Sequence, residues 1–120
     1  MLIEGGNVTI FVSDMDRAVR FFTETLGLRL DQRYGNHWAQ VDAGKGLMLG
    51  LHPASPSAPP PGTAGSMQIG LEVKGPLEGA KAELEKRGVA FPGAIVDDGA
   101  VRLLHFADAD GHPLYLCEVK

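Results

Sequence analysis

The side chains able to do acid–base, nucleophilic or metal chemistry are few and scattered. Four histidines (His37, His52, His105 and His112) and one cysteine, Cys117, stand in a chain of 120 residues with 15 carboxylates. None falls in a spacing that makes a site by itself. There is no paired-cysteine zinc pattern, no Gly-rich phosphate loop and no nucleophile elbow. Asp108-Ala109-Asp110-Gly111 has the start of a calcium loop but lacks the downstream carboxylates, so it reads as a hairpin turn. His112 lies in that turn and His37 beside another, and both are expected to be exposed. With no lysine or helix start nearby, Cys117 reads as a small hydrophobe and not a nucleophile. Tyr34 and Trp38 fall on neighbouring strands near a turn. They either stack on a flat ligand or, in the case of Trp38, pack in the core or against another subunit.

The elements that must position these groups begin with Asn7 to Gly27. Val8, Ile10 and Val12 alternate with Asn7, Thr9 and Phe11, the period of a two-faced strand. Ser13, followed three residues later by Asp16, predicts a capped helix start. Met15, Ala18, Val19, Phe22 and Leu26 form its apolar stripe, and Gly27 its left-handed end. Strands follow at 28–34, 37–42 and 47–52. The pattern then repeats at an offset of 61 positions, with Gln68 in the place of Asn7, Val73 of Val12 and Gly88 of Gly27. The second copy predicts a strand at 67–74, a helix at 76–87 opened by Pro76, and strands at 89–96, 101–107 and 113–119. Towards the end the offset drifts to 67, which pairs Met48 with Tyr115. The chain therefore reads as an internal duplication, with a first module at 1–52, a Pro-rich linker at 53–66 and a second module at 67–120.

Bulk properties narrow the partners. A hydrophobic content of 44% and a charged content of 22% are those of one ordinary globular domain. A net charge of -4 without a Lys/Arg cluster argues against nucleic acid. No apolar run approaches the roughly 18 residues of a membrane span, and the start has no basic region before an apolar stretch. A lone cysteine excludes an intrachain disulfide, and a cytoplasmic location is expected.

A duplicated strand–helix–three-strand unit with Val12-Ser13-Asp14-Met15-Asp16-Arg17-Ala18 at its first turn resembles the glyoxalase, bleomycin-resistance protein and extradiol dioxygenase superfamily, the vicinal oxygen chelate fold. Phe21-Phe22 with Leu26-Gly27-Leu28 resembles that family's Phe-Tyr…Leu-Gly helix end. Asp108-Ala109-Asp110-Gly111 resembles its Asp-Pro-Asp-Gly turn. The resemblance covers nearly the whole chain apart from the linker. It implies an α+β fold in which two tandem βαβββ modules form half-barrels around a shared cavity, and it implies a homodimer. Enzymatic members hold a divalent metal there with His or Gln on the first strand of each module and Glu on the last. Carried onto this sequence, the four places are Asn7, Met48 (or Gly50 in a shifted register), Gln68 and Tyr115. Two amides, a thioether and a phenol are a poor donor set for zinc, iron, nickel or manganese. No metal or other cofactor is therefore expected.

What the resemblance then implies is a small-molecule binder, akin to the drug-sequestering resistance proteins, with an aromatic or amphipathic ligand. If Asn7 and Gln68 face the cavity, alternation also turns Thr9, Phe11, Gly70 and Glu72 inward. Met48, His52, Tyr115 and Cys117 join them, and His105 does so if Leu104 and Phe106 cover the helix side. Of these, Asn7, Thr9, Phe11, Met48, His52, Gln68, Glu72, His105 and Tyr115, with Trp38, are the expected ligand-binding residues. Glu72 is the candidate catalytic base if the chain is an enzyme, or else a solvated strand-end carboxylate. The alternative reading is a metal-dependent lyase, isomerase or dioxygenase whose metal site is rearranged onto His52, His105 and Glu72.

Overall fold

The computed structural model describes residues 7–56, 59–63 and 68–120. The chain divides into two compact units, residues 1–63 and 64–120. The first unit runs β1 (Val8–Val12), α1 (Met15–Arg20), a π-helical turn (Phe21–Thr25), β2 (Arg29–Tyr34), β3 (Trp38–Asp42) and β4 (Met48–Pro53). Its sheet has the order β1-β4-β3-β2, with β1 parallel to β4 and the other pairs antiparallel. The second unit runs β5 (Ile69–Glu72), α2 (Leu77–Lys86), β6 (Val96–Asp98), β7 (Val101–Ala107) and β8 (Pro113–Val119), in the matching order β5-β8-β7-β6. The fold is thus α+β with a tandem βαβββ repeat, as the duplicated pattern predicts. Residues 57, 58 and 64–66 of the expected linker, and residue 67 of the expected fifth strand, lie outside the described residues.

Strand alternation sends one face of each sheet against its helix. In the first unit that face carries Ile10, Val12, Ala39, Val41, Leu49 and Leu51, all buried, under Met15, Ala18, Val19 and Phe22. In the second it carries Ile69, Leu71, Leu104, Phe106, Leu114 and Leu116 under Leu77 and Leu84. Burying these side chains is the main driving force of each unit, at roughly 1.5–3 kcal/mol per large apolar group.

Several boundaries differ from expectation for identifiable reasons. The N-cap of α1 is Asp14 and not Ser13: the Asp14 carboxylate accepts from the Arg17 amide at 3.0 Å, while the Ser13 hydroxyl accepts from the Arg17 guanidinium at 2.7 Å. The helix also widens after Arg20, where Leu26 N–H bonds the Phe21 carbonyl five residues back at 3.0 Å. Gly27, at φ 76°, then closes it in a left-handed turn with Leu28 N–H on the Phe22 carbonyl. Pro76 precedes α2 and is not its first residue. Proline has no side-chain acceptor, so Glu118 of β8 caps the helix instead, accepting from Leu77 N–H at 2.9 Å. The same carboxylate oxygen receives Arg102 at 2.9 Å, and Arg102 also pairs with Glu78.

The strand expected at 89–96 shrinks to Val96–Asp98. Val89 is used to end α2, its N–H bonding the Leu84 carbonyl, and Phe91 packs on Phe106 at a centroid distance of 5.6 Å. Pro92 then offers no ladder donor. His112, expected to be exposed, is only 18% exposed at its side chain because its Nδ1 lies 2.7 Å from the buried carboxylate of Asp108. His37 is exposed, as expected.

Register also corrects the pairing of Met48 with Tyr115. Val8 faces Leu49 and Ile69 faces Leu114, so Leu49 answers to Leu114 and Gly50 to Tyr115. The drift between the halves is two residues smaller than the sequence pattern suggests.

Candidate functional site

The sheet faces turned away from the helices are not needed for the core, and they carry the predicted site residues. On the first sheet this face presents Thr9 and Phe11 from β1, Trp38 and Gln40 from β3, and Met48, Gly50 and His52 from β4. Three rings stand in a row across it. The Trp38 and His52 centroids are 6.4 Å apart at 72°, and those of His52 and Phe11 5.4 Å apart at 65°. Both are edge-to-face contacts, the arrangement ring quadrupoles favour.

Gly50 is what lets the row form. A Cβ built on Gly50 would lie 2.2 Å from Cη2 and 2.7 Å from Cζ2 of Trp38, so the indole occupies the space a side chain would take. All three rings remain half-exposed on the outer side. The His52 ring is oriented from behind. Its Nδ1 is 2.8 Å from the Pro53 carbonyl, which can only accept, so Nδ1 carries the hydrogen and Nε2 is the free acceptor of the neutral ring.

Beside the rings runs a charged rim. Arg29 bonds Asp42 at 2.7 Å and approaches Asp31 at 3.7 Å, and Gln40 donates to Asp31 at 3.1 Å. The Arg29 guanidinium, with help from the Gly44 amide, holds the Asp42 carboxyl below the usual carboxylate range. Asp42 in turn raises Arg29 above its ordinary value. Asn7 lies exposed at the edge, accepting from the Thr9 hydroxyl at 3.3 Å, and Tyr34, 62% exposed, faces Trp38 across β2 and β3.

The second sheet shows the same device with different residues. Tyr115 of β8 lies over Gly70 of β5, where a Cβ would come within 2.4 Å of Cζ and 2.5 Å of the phenol oxygen. His105, in register with Tyr115, packs against it at a centroid distance of 5.6 Å. The surroundings are more apolar than in the first unit. Val96 and Val119 are 50% and 60% exposed, with Val101, Leu103 and Cys117 half-exposed beside them. Glu72 of β5 and Gln68, just before that strand, are exposed, and Glu72 is in register with Cys117. A shallow depression of about 330 Å³ bounded by Ser13, Asp14, Asn36 and Pro53 holds none of the predicted site residues.

Register moves the place that the resemblance gives to Met48 onto Gly50, so the four residues it names are Asn7, Gly50, Gln68 and Tyr115. Gly50 has no side chain and is covered by an indole, Tyr115 is laid over Gly70, and the remaining two groups are neutral amides. This donor set does not fit a divalent ion. Among the described residues, no three of His, Cys, Asp or Glu within either unit stand close enough to share one. His52, proposed for a rearranged site, belongs to the first sheet and directs its Nδ1 to Pro53. Sequence reasoning overlooked Gln40, Asp31 and Arg29, and treated Gly50 only as a register alternative. A glycine inside a strand was the available signal, since it marks close approach by another group.

A model of the Glyoxalase/Bleomycin resistance protein/Dioxygenase superfamily matches residues 6–116. The chain belongs to this superfamily. Among solved structures, it superposes on an antibiotic-binding protein, TnmS3, from Streptomyces sp. CB03234, with a TM-score of 0.80 and 29% identity over 100% of this chain and 99% of that one. A glyoxalase/bleomycin resistance protein from the same Streptomyces strain gives a TM-score of 0.75 and 30% identity, covering 94% and 98%. Lactoylglutathione lyase from Agrobacterium tumefaciens shares the fold at 15% identity and a TM-score of 0.73, covering 93% and 90%. No curated protein matches the chain. Among the described residues, no helix of this superfamily member is long and apolar enough to cross a membrane.

Proposed function

We propose that the chain binds a small planar aromatic or amphipathic molecule by stacking, shape and hydrogen bonding, without a divalent ion, and acts by sequestering it. The observation that carries this reading is the row Trp38–His52–Phe11. Three half-exposed rings are seated on the sheet face turned away from the helix, with Gly50 left bare beneath the indole. Aromatic walls with a few fixed polar groups are what a small-molecule site needs. The similarity to an antibiotic-binding protein at 29% identity over the full chain supports small-molecule binding. Thr9, Met48, Asn7, Gln68, Glu72, His105 and Tyr115 complete the proposed contacts, and the family resemblance extends the proposal to a homodimer.

The test is a thermal-shift screen of the untagged protein against aromatic antibiotics, catechols, glutathione conjugates and divalent metals, with and without chelator. A ligand raises the melting temperature by mass action whatever its chemistry. An aromatic compound should stabilise the protein equally in the presence of chelator. Stoichiometric metal on the purified protein, or binding abolished by chelator, would overturn the reading.

A further inference from the structure

Gln40 sits in the middle of β3, half-buried, on the same face as Trp38. It is in register with Gly50, the position covered by the Trp38 ring, so its amide borders the aromatic surface. Gln40 Nε2 donates to Asp31 Oδ2 at 3.1 Å. A carboxylate offers only acceptors, so this contact fixes which end of the amide is nitrogen. Asp31 is itself braced by Arg29 at 3.7 Å, and Arg29 is anchored on Asp42 at 2.7 Å. Gln40 Oε1 reaches no donor among the described residues, and no polar side-chain atom among them is buried without a partner. The carbonyl oxygen is therefore an open acceptor with a fixed direction, set beside a stacking surface.

We propose that Gln40, locked by Asp31, reads a hydrogen-bond donor on the ligand, so that the site selects planar aromatics bearing a free hydroxyl over the same rings with that hydroxyl capped. The proposal rests on the reading that the Trp38 face binds an aromatic. Its chemical basis is an asymmetry. A fixed acceptor gains from a phenolic O–H but is desolvated without return against an ether oxygen, and a site built to bond a hydroxyl rejects analogues that lack it.

Flavone, its monohydroxy derivatives and their methoxy counterparts serve as probes, titrated into the full chain while the emission of Trp38, the single tryptophan, is followed. At least one hydroxyflavone should bind about three- to ten-fold more tightly than its methoxy partner, the range set by one net hydrogen bond. In Gln40→Met this preference should collapse towards parity, read as the ratio of hydroxy to methoxy affinity, which a uniform change in stacking leaves untouched. Asp31→Asn should weaken the preference in part, because an asparagine lets the amide turn over. An undiminished preference in Gln40→Met, or wild-type protein that binds flavone and never favours a hydroxyl, would overturn the proposal and leave the aromatic-face reading standing. Failure of every flavone to bind would remove that reading, and this one with it.

Discussion

The bare position beneath the indole offers the most direct perturbation. In Gly50→Ala the new methyl carbon would sit 2.2 Å from Trp38 Cη2. Carbon atoms in contact prefer about 3.5–4.0 Å, so the ring must withdraw by roughly 1.3 Å or swing off the sheet. Overpacking of this kind costs about 1–3 kcal/mol, and replacing a strand glycine with alanine returns roughly 0.5–1 kcal/mol of backbone entropy. The net loss is about 1 kcal/mol, which for a domain of this size lowers the melting temperature by roughly 4 °C. The larger effect should fall on the site. Trp38 is the single tryptophan, so its emission should shift to the red and become easier to quench by iodide as the ring leaves Gly50. Affinity for a planar aromatic should fall by more than the change in stability explains. An unchanged emission maximum, unchanged quenching and unchanged binding in a folded Gly50→Ala protein would refute the claim that this glycine seats the ring.

The other predictions are narrower. Gly70→Ala should displace Tyr115 in the same way, since the new Cβ would lie 2.4 Å from its Cζ; the check is a changed ultraviolet difference spectrum with α2 and the core retained. Phe22→Ala, at a fully buried position, should cost about 3–5 kcal/mol in denaturant unfolding, and a loss below 1 kcal/mol would contradict the assigned core. Removing the cap in Glu118→Ala should cost about 1 kcal/mol of stability and increase hydrogen exchange at the first turn of α2. The carboxyls of Asp16, Asp42, Glu78 and Asp97 are held below their ordinary range by Arg33, Arg29, Arg102 and Lys120 respectively. Their stabilisation should therefore be complete above the ordinary carboxylate range and fade as pH falls through the depressed values. Melting temperatures measured downwards from neutral pH should drop accordingly, with a shallower drop in high salt; a flat profile would count against these pairs.

The parts of this fold legible in the sequence are those written in periodicity. Ile10 and Val12, Leu49 and Leu51, and Leu104 and Phe106 recur at every second position because one side of each strand meets a helix, and every one of these residues is buried. The ends of elements were less legible, because distant groups decide them. Nothing local to Pro76 says that Glu118 will cap α2, and the choice of Asp14 over Ser13 depends on how the chain enters the helix. The strand expected from Val89 failed because Val89 and Phe91 do other work, closing a helix and packing on Phe106. Which residues share the sheet faces turned away from the helices was legible from parity. Their mutual geometry was not, since a pairing error of two residues exchanges Met48 for Gly50 opposite the tyrosine of the other half.

That exchange shows where the duplicated halves have been free to diverge. On the helix-facing sides, register equates Val8 with Ile69, Ile10 with Leu71, Leu49 with Leu114, Leu51 with Leu116, Ala39 with Leu104 and Val41 with Phe106, and every member is apolar. On the outer sides it equates Thr9 with Gly70, Phe11 with Glu72, Gly50 with Tyr115, His52 with Cys117 and Gln40 with His105, and no two are alike. Burial constrains the first set, because a polar residue there would forfeit its hydration without a partner. No such constraint acts on the second, yet it has not drifted into a generic solvated surface. Each half has kept one bare glycine and one aromatic ring laid over it, reached from different strands: β3 over β4 in the first half and β8 over β5 in the second. One repeated frame thus carries two unlike outer faces, one of rings beside a charged rim, the other of a phenol among valines.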